Sequence, residues 1–285
     1  MAESEEQSFA RKSPGRVTVR PGNAAIAVTV LLLACELVVR GLEIRPAVFP
    51  SPSRVLLEIL REAPRLTQHA WVTACESLEG LLLALLAGIP IASLAAVSIR
   101  TRRITDPVLG ILRKLPVIAF APLMVIWLGF GIPPAAAVSF LVCLLPIVAG
   151  LQAGFNSVPA GIVEILQVMG ASPSRVFLKV NLPACLPFAA RTLRLSVPLA
   201  FGGATAAEFV GSDTGLGYLM LYASSNANTT RLFAALTVLI LMTLCAYFII
   251  FFIERAWISW PAEPLPWSDF EQQAYSNESS RDQRL

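Results

Sequence analysis

The feature that most constrains this chain is a stretch without one charged residue, running from Leu115 to Val163. A helix of roughly 20 apolar residues crosses the ~30 Å hydrocarbon core of a bilayer. The stretch is too long for one crossing and must fold back on itself. Gly129-Phe130-Gly131-Ile132-Pro133-Pro134 is the natural place, because clustered glycines and prolines end helices. Spans over 113–130 and 135–155 are therefore expected. Leu232 to Ile253 is uncharged and long enough alone, and Leu81 to Ser98 is uncharged with a start near Trp71. A span over 187–210 carries Arg191 and Arg194, whose side chains can snorkel to the interface. A first span over 24–42 carries Glu36 and Arg40, four apart on one helix face. The 14% of charged residues is far below the roughly 25% of a soluble domain. The expected fold class is all-α membrane, with about six transmembrane helices.

The first apolar segment lies behind a polar leader with no small-residue cleavage site after it, so it reads as a retained span. With the N-terminus inside and six spans threaded, most of the 22 Lys and Arg residues fall on inside segments or inner span ends. Arg45, Arg54, Arg61, Arg65 and Arg231 fall outside. The positive-inside bias places both termini in the cytoplasm and the chain in the inner (plasma) membrane. The expected organisation is a cytoplasmic leader over 1–22, a transmembrane domain over 23–260 and a polar cytoplasmic tail over 261–285. Both tails are rich in Glu, Ser, Arg and Gln, a composition that does not form a core. Between the first two spans, four prolines and the helical spacing of Leu56 to Leu66 predict a short helix on the outer surface.

Several chemistries lack their residues. The five cysteines show no CxxC spacing, which excludes a zinc site or disulfide framework by pattern. His69 is the only histidine and reads as an interfacial polar residue, so no metal is expected. The dipeptide Gly-Lys of a phosphate loop does not occur, and no nucleophile motif or internal repeat is visible. The chain reads as a non-enzyme without a cofactor of its own. A net charge of +3 gives no reason to invoke nucleic acid; membrane lipid is the expected surroundings.

The loop between the fourth and fifth expected spans, 158–185, carries the strongest signal. Gly170-Ala171-Ser172-Pro173 would stop one helix and start another, with Ser172 as N-cap and Pro173 at the first helical position. Two short helices at a sharp turn would protrude as a knob with an apolar face and a basic edge, suited to a groove on a partner.

In this loop the chain resembles the permease subunits of binding-protein-dependent ABC importers. Their pattern is Glu-Ala-Ala, three residues, Gly, nine residues, Ile-x-Leu-Pro. Here Glu164, Gly170 and Val180-Asn181-Leu182-Pro183 stand at those intervals, with Ile165-Leu166 for Ala-Ala and Val180 for Ile. Phe49-Pro50-Ser51-Pro52, Gly88-Ile89-Pro90, Ala121-Pro122-Leu123, Trp127-Leu128-Gly129-Phe130-Gly131, Glu208-Phe209-Val210-Gly211 and Gly215-Leu216-Gly217-Tyr218-Leu219 resemble the nitrate, sulfonate, taurine and pyrimidine-precursor branch. The resemblance implies a pair of permease chains, cytoplasmic ATP-binding subunits and a periplasmic or extracellular solute-binding protein. It implies alternating access, with Glu164, Gly170, Ala171, Ser172, Arg175, Leu182 and Pro183 at the coupling contact.

Ionisable groups at membrane depth usually face a cavity or a partner. Glu76, Glu79 and Glu208, with Trp127, are the candidates for the translocation path. Glu76 stands where many sulfonate-type relatives have arginine. A carboxylate suits a heterocycle bearing N–H donors better than an anion, which favours a pyrimidine-type vitamin precursor over nitrate, sulfonate or taurine. Glu76 pairing with a basic residue on a neighbouring span is the structural alternative, and Glu208 can instead bond backbone amides of the 211–217 turn. The rival reading for the chain is a self-sufficient secondary carrier or channel without an ATPase partner.

Overall fold

The computed structural model describes residues 21–112 and 114–257. The expectations for the leader and the tail therefore fall, almost entirely, outside the described residues. Within them the chain is helical and contains no strand. The helices are α1 (Pro21–Gly41), α2 (Pro52–Arg61), α3 (Ala63–Val97), α4 (Ile99–Leu112), α5 (Ala121–Leu128) and α6 (Ile132–Phe155). They continue with α7 (Ala160–Val168), α8 (Pro173–Val176), α9 (Leu182–Gly211), α10 (Leu216–Ser225) and α11 (Thr229–Trp257). The all-α membrane fold class holds.

Ala63–Val97, Ile132–Phe155 and Thr229–Ala256 are each long and apolar enough to cross a membrane. The expected third span, 113–130, is not one straight helix. A 3-10 turn at Val117–Phe120 leads into α5, and this unit makes an angle of 83° with α4. Pro116, in the connector between the two arms, explains the break, since it lacks the N–H that a continuous helix needs. The bent pair makes a fourth candidate crossing. The other two expected spans are helices, α1 and α9. In α9, Arg191, Arg194, Glu208 and a Gly202-Gly203 pair dilute the apolar character. The fold-back at 129–134 is as expected: Gly129 and Gly131 take φ of 82° and 102°, values that favour glycine.

α3, α6 and α9 form the centre of the bundle. Small residues let their backbones approach, as is common where lipid supplies no hydrophobic drive between helices. A Cβ on Gly80 of α3 would sit 2.5 Å from the Ala136 carbonyl oxygen of α6. A Cβ on Gly154 of α6 would sit 2.8 Å from Cys185 Sγ of α9. Leu81, Ala84, Cys143, Ile147, Val148, Leu151, Val197 and Ala200 fill the seam. α11 closes the bundle against α9 and α10.

Polar contacts fix the ends. Arg194 of α9 does not simply snorkel: it pairs with Glu254 of α11 at 3.2 Å and lies over the Tyr247 and Phe251 rings. Glu36 and Arg40 pair at 2.5 Å, and Glu36 also accepts from the backbone N–H and hydroxyl of Ser53 at 3.0 and 2.8 Å. That carboxylate satisfies a free amide at the start of α2. On its other side α2 is tied to α11 by Arg231, which bonds Glu62 at 2.6 Å and lies 3.5 Å from Glu58. The sequence-based surface helix is thus a docked element of the bundle.

Candidate functional site

α6 and α9 are joined at one end of the bundle by a protruding pair of short helices. α7 ends in a turn set by Gly170, whose φ is 88°. The Ala171 N–H donates to the Leu166 carbonyl at 3.0 Å and the Gly170 N–H to the Gln167 carbonyl at 2.9 Å. That pair of bonds is the Schellman arrangement, which needs a residue at positive φ where Gly170 stands. Ser172 then takes the N-cap position, φ −67° and ψ 149°, and Pro173 opens α8. The Ser172 hydroxyl makes no cap bond; its carbonyl accepts from Arg175 and Val176. A π turn at Phe177–Asn181 leads into α9, where Leu182 and Pro183 are the first two residues.

The turn carries its apolar residues outward. Val168 is 89% exposed and Met169 79%, with Ile165 and Leu178 also exposed. Glu164, Gly170, Ser172 and Arg175 share this surface, as do Leu182 and Pro183 at its edge; Ala171 is half-buried. Only Val176 is buried, and Phe177 stacks on Phe155 with ring centres 5.3 Å apart. A knob whose apolar side chains point away from its own core presents a docking face.

The second constellation lies at the opposite end of the bundle. α9 ends at Gly211 and the chain turns back into α10 through Gly215, at φ 99°. Three successive amides of that turn are held from other helices. The Gly215 N–H donates to His69 Nδ1 at 3.1 Å, the Leu216 N–H to Thr73 Oγ1 at 2.8 Å, and the Gly217 N–H to Glu208 Oε2. The Thr73 hydroxyl donates in turn to Glu208 Oε1 at 2.6 Å. The free N–H groups at the start of α10 thus meet a carboxylate, the favourable sign for a helix N-terminus. A Cβ on Gly217 would lie 2.7 Å from Glu208 Oε2, so glycine is required for the close approach. The expectation that Glu208 bonds amides of the glycine turn is met.

The four path candidates occupy different surroundings. Glu208 and Glu76 are wholly buried inside one chain. Among the described residues Glu76 has no basic partner, and both its carboxylate oxygens lack a hydrogen-bond donor. Glu79, three residues on, is exposed, and Trp127 on α5 is 65% exposed. Thr73 is the residue that motif reading missed. A signal was available: His69, Thr73, Glu76, Ser77 and Gly80 recur at helical spacing on one face of an otherwise apolar helix. His69 is a hydrogen-bond acceptor for the turn, and among the described residues no group of three His, Cys, Asp or Glu side chains is placed to hold a metal.

A helical bundle with a glycine-set knob at one end and a latched turn at the other is the form of a transport subunit. The chain belongs to the family of binding-protein-dependent transport system inner membrane components, whose model matches residues 88–259. It is a membrane component of an ABC importer for a small solute, a permease rather than a catalytic enzyme. A probable ABC transporter permease protein of Haemophilus influenzae is 37% identical over 78% of this chain and 91% of its own length. The formylaminopyrimidine transport permease protein ThiX of Halalkalibacterium halodurans is 29% identical over 76% and 87%. The taurine transport system permease protein TauC of Escherichia coli is 28% identical over 87% and 91%. In fold the chain is similar to a chain of the inward-facing MetNI methionine ABC transporter, with TM-score 0.61 and 21% identity over 69% of this chain and 97% of that one.

Proposed function

We propose that the 160–183 knob is the coupling contact through which a cytoplasmic ATP-binding subunit drives this permease. The observation that carries this is the exposed apolar surface of Ile165, Val168, Met169 and Leu178, held at a fixed angle by the Gly170 turn. Arg175 and Glu164 flank that surface and give it a charge pattern for docking. Two copies of this chain form the path between them, both termini lie in the cytoplasm, and an external solute-binding protein delivers to the latched end. ATP binding moves the knobs with the ATPase dimer and tips the equilibrium from inward- to outward-facing; hydrolysis resets it.

Glu79 and Trp127 are on the chain's surface and can face a path between copies, whereas Glu76 and Glu208 act from inside one chain. Glu79 has no ion pair among the described residues and needs water, which a path supplies. An exposed carboxylate, Glu79, on the path repels nitrate and sulfonates and can accept from the N–H groups of a heterocycle such as a pyrimidine-type vitamin precursor. The likeness to the formylaminopyrimidine permease supports that solute class, although the taurine relative is about as similar. In proteoliposomes holding this chain with its ATP-binding subunit and binding protein, uptake of labelled aminopyrimidine is expected to require ATP and to resist competition by nitrate or taurine. Competition by either of these would overturn the solute class. Uptake without ATP or partners would instead establish the carrier reading.

A further inference from the structure

Among the described residues Glu76 is the one buried carboxyl group that neither the knob nor the latch uses. It is 0% exposed, and neither carboxylate oxygen meets a donor. Glu76 stands one turn from Thr73 on the same face of α3, which puts its carboxyl beside that of Glu208, the acceptor of the Thr73 hydroxyl. Each oxygen of Glu208 already accepts one bond, Oε1 from the Thr73 hydroxyl and Oε2 from the Gly217 amide, and each keeps a second lone pair. Two negative charges in contact, away from water, repel strongly, and an isolated carboxylate in such a place is costly.

Among the described residues no cation on the neighbouring elements pairs with them. On α3 itself the titratable neighbours are His69, Cys75 and Glu79. His69 already accepts from Gly215, so its Nδ1 carries no proton. α9 contributes Glu208 and α10 contributes Tyr218, whose ring centre is 6.0 Å from that of His69. α6 has no charged residue along its length. Arg65 and Arg231, the basic residues at this end of α3 and α11, are paired with Glu62 and with Glu58 and Glu62. A metal ion such as calcium takes six to eight oxygen ligands, far more than the free oxygens here.

We propose that Glu76 and Glu208 bind one proton between them, carried on Glu76 and donated to Glu208, and that this proton is a working part of the latch on the 215–217 turn. The single proton supplies the donor that Glu76 lacks and leaves Glu208 as the carboxylate that grips α10. Losing it sets the two charges against each other and loosens the grip of Glu208 on the turn. The latched end is then a proton-binding site inside each copy, distinct from any contact with solute.

Infrared spectroscopy of the purified full-length protein tests this, comparing wild type with Glu76→Gln, an isosteric variant that donates to Glu208 without a titrating proton. The wild type is expected to show, at neutral pH, the C=O stretch of a protonated glutamic acid, shifted in D2O and absent from Glu76→Gln. Assignment by ¹³C-labelled glutamate in the wild type needs no variant and so does not depend on the variant folding. Hydrogen exchange supplies a second readout. From neutral to alkaline pH, above the roughly 6.5 at which an ordinary histidine titrates, protection of the Leu216 and Gly217 amides is expected to fall in wild type and to persist in Glu76→Gln. Absence of a protonated glutamic acid band, or identical pH dependence of exchange in the two proteins, would overturn the proposal. A band abolished by sodium at constant pH would overturn it too, by making the bound species a cation.

Discussion

Glu208→Ala is expected to lower the melting temperature of the purified permease in detergent by on the order of 10 °C and to abolish uptake. The carboxylate receives the Thr73 hydroxyl and the Gly217 amide, and a hydrogen bond to a charged group contributes about 1.5–3 kcal/mol. Removing it takes both bonds and leaves a buried amide and hydroxyl without their partner. Water entering the space left by the side chain rebonds some of the orphaned donors and returns part of this, so the net loss is about 3 kcal/mol. For a chain of this size that corresponds to roughly 6–12 °C. Tryptophan fluorescence during thermal unfolding reads the shift. Glu208→Gln, which keeps one acceptor oxygen, should fall between wild type and Glu208→Ala. A Glu208→Ala protein that melts with wild type would mean the turn is held by packing alone.

Gly170→Leu is expected to leave the protein inserted and folded while severing transport from ATP hydrolysis. Nothing lies within 4 Å of a Cβ at this position, so there is no steric clash to unfold the bundle. The cost is in the backbone: a φ of 88° is disfavoured for a side-chain-bearing residue by about 1–2 kcal/mol. That is enough to replace the Schellman turn by another conformation in a segment with little core of its own, and to change the angle between α7 and α8. Gly170→Asn, the residue that best tolerates the left-handed region after glycine, should retain substantial coupling. Solute-dependent ATP hydrolysis and uptake, measured on the same reconstituted complex, separate the two. Wild-type uptake by a stably inserted Gly170→Leu protein would remove the knob from the coupling role.

The local features of both sites were legible in the sequence because they rest on backbone rules. Gly170 before Ala-Ser-Pro can only stop one helix and start another, and the glycines at 129 and 131 mark the fold-back for the same reason. Glu208 beside a run of glycine amides announced its own hydrogen bonds. The long-range partners were not legible. Thr73 meets Glu208 across 135 residues, and His69 meets Gly215 across 146. Nothing in either segment alone specifies that α3 and α9 run side by side; packing of Gly80 and Gly203 against Ser139 of α6 does. The bend between Leu112 and Val117 was hidden because absence of charge shows where a chain avoids water and says nothing of where its helix breaks. α10, a ten-residue helix after the glycine turn, is too short for its apolar spacing to mark it in the sequence. The Arg194 to Glu254 pair was missed because a basic residue near a span end is equally compatible with snorkelling and with a partner on another helix.

The central claim is that the 160–183 knob docks an ATP-binding subunit. Co-purification in mild detergent with that subunit, comparing wild type with Glu164→Lys and monitoring insertion of both, tests it most directly. Retention of a phosphate-loop ATPase by wild type and its loss from a folded Glu164→Lys protein is the predicted result. A folded wild-type protein that retains no ATPase, or a Glu164→Lys protein that retains it as well as wild type, would contradict the account.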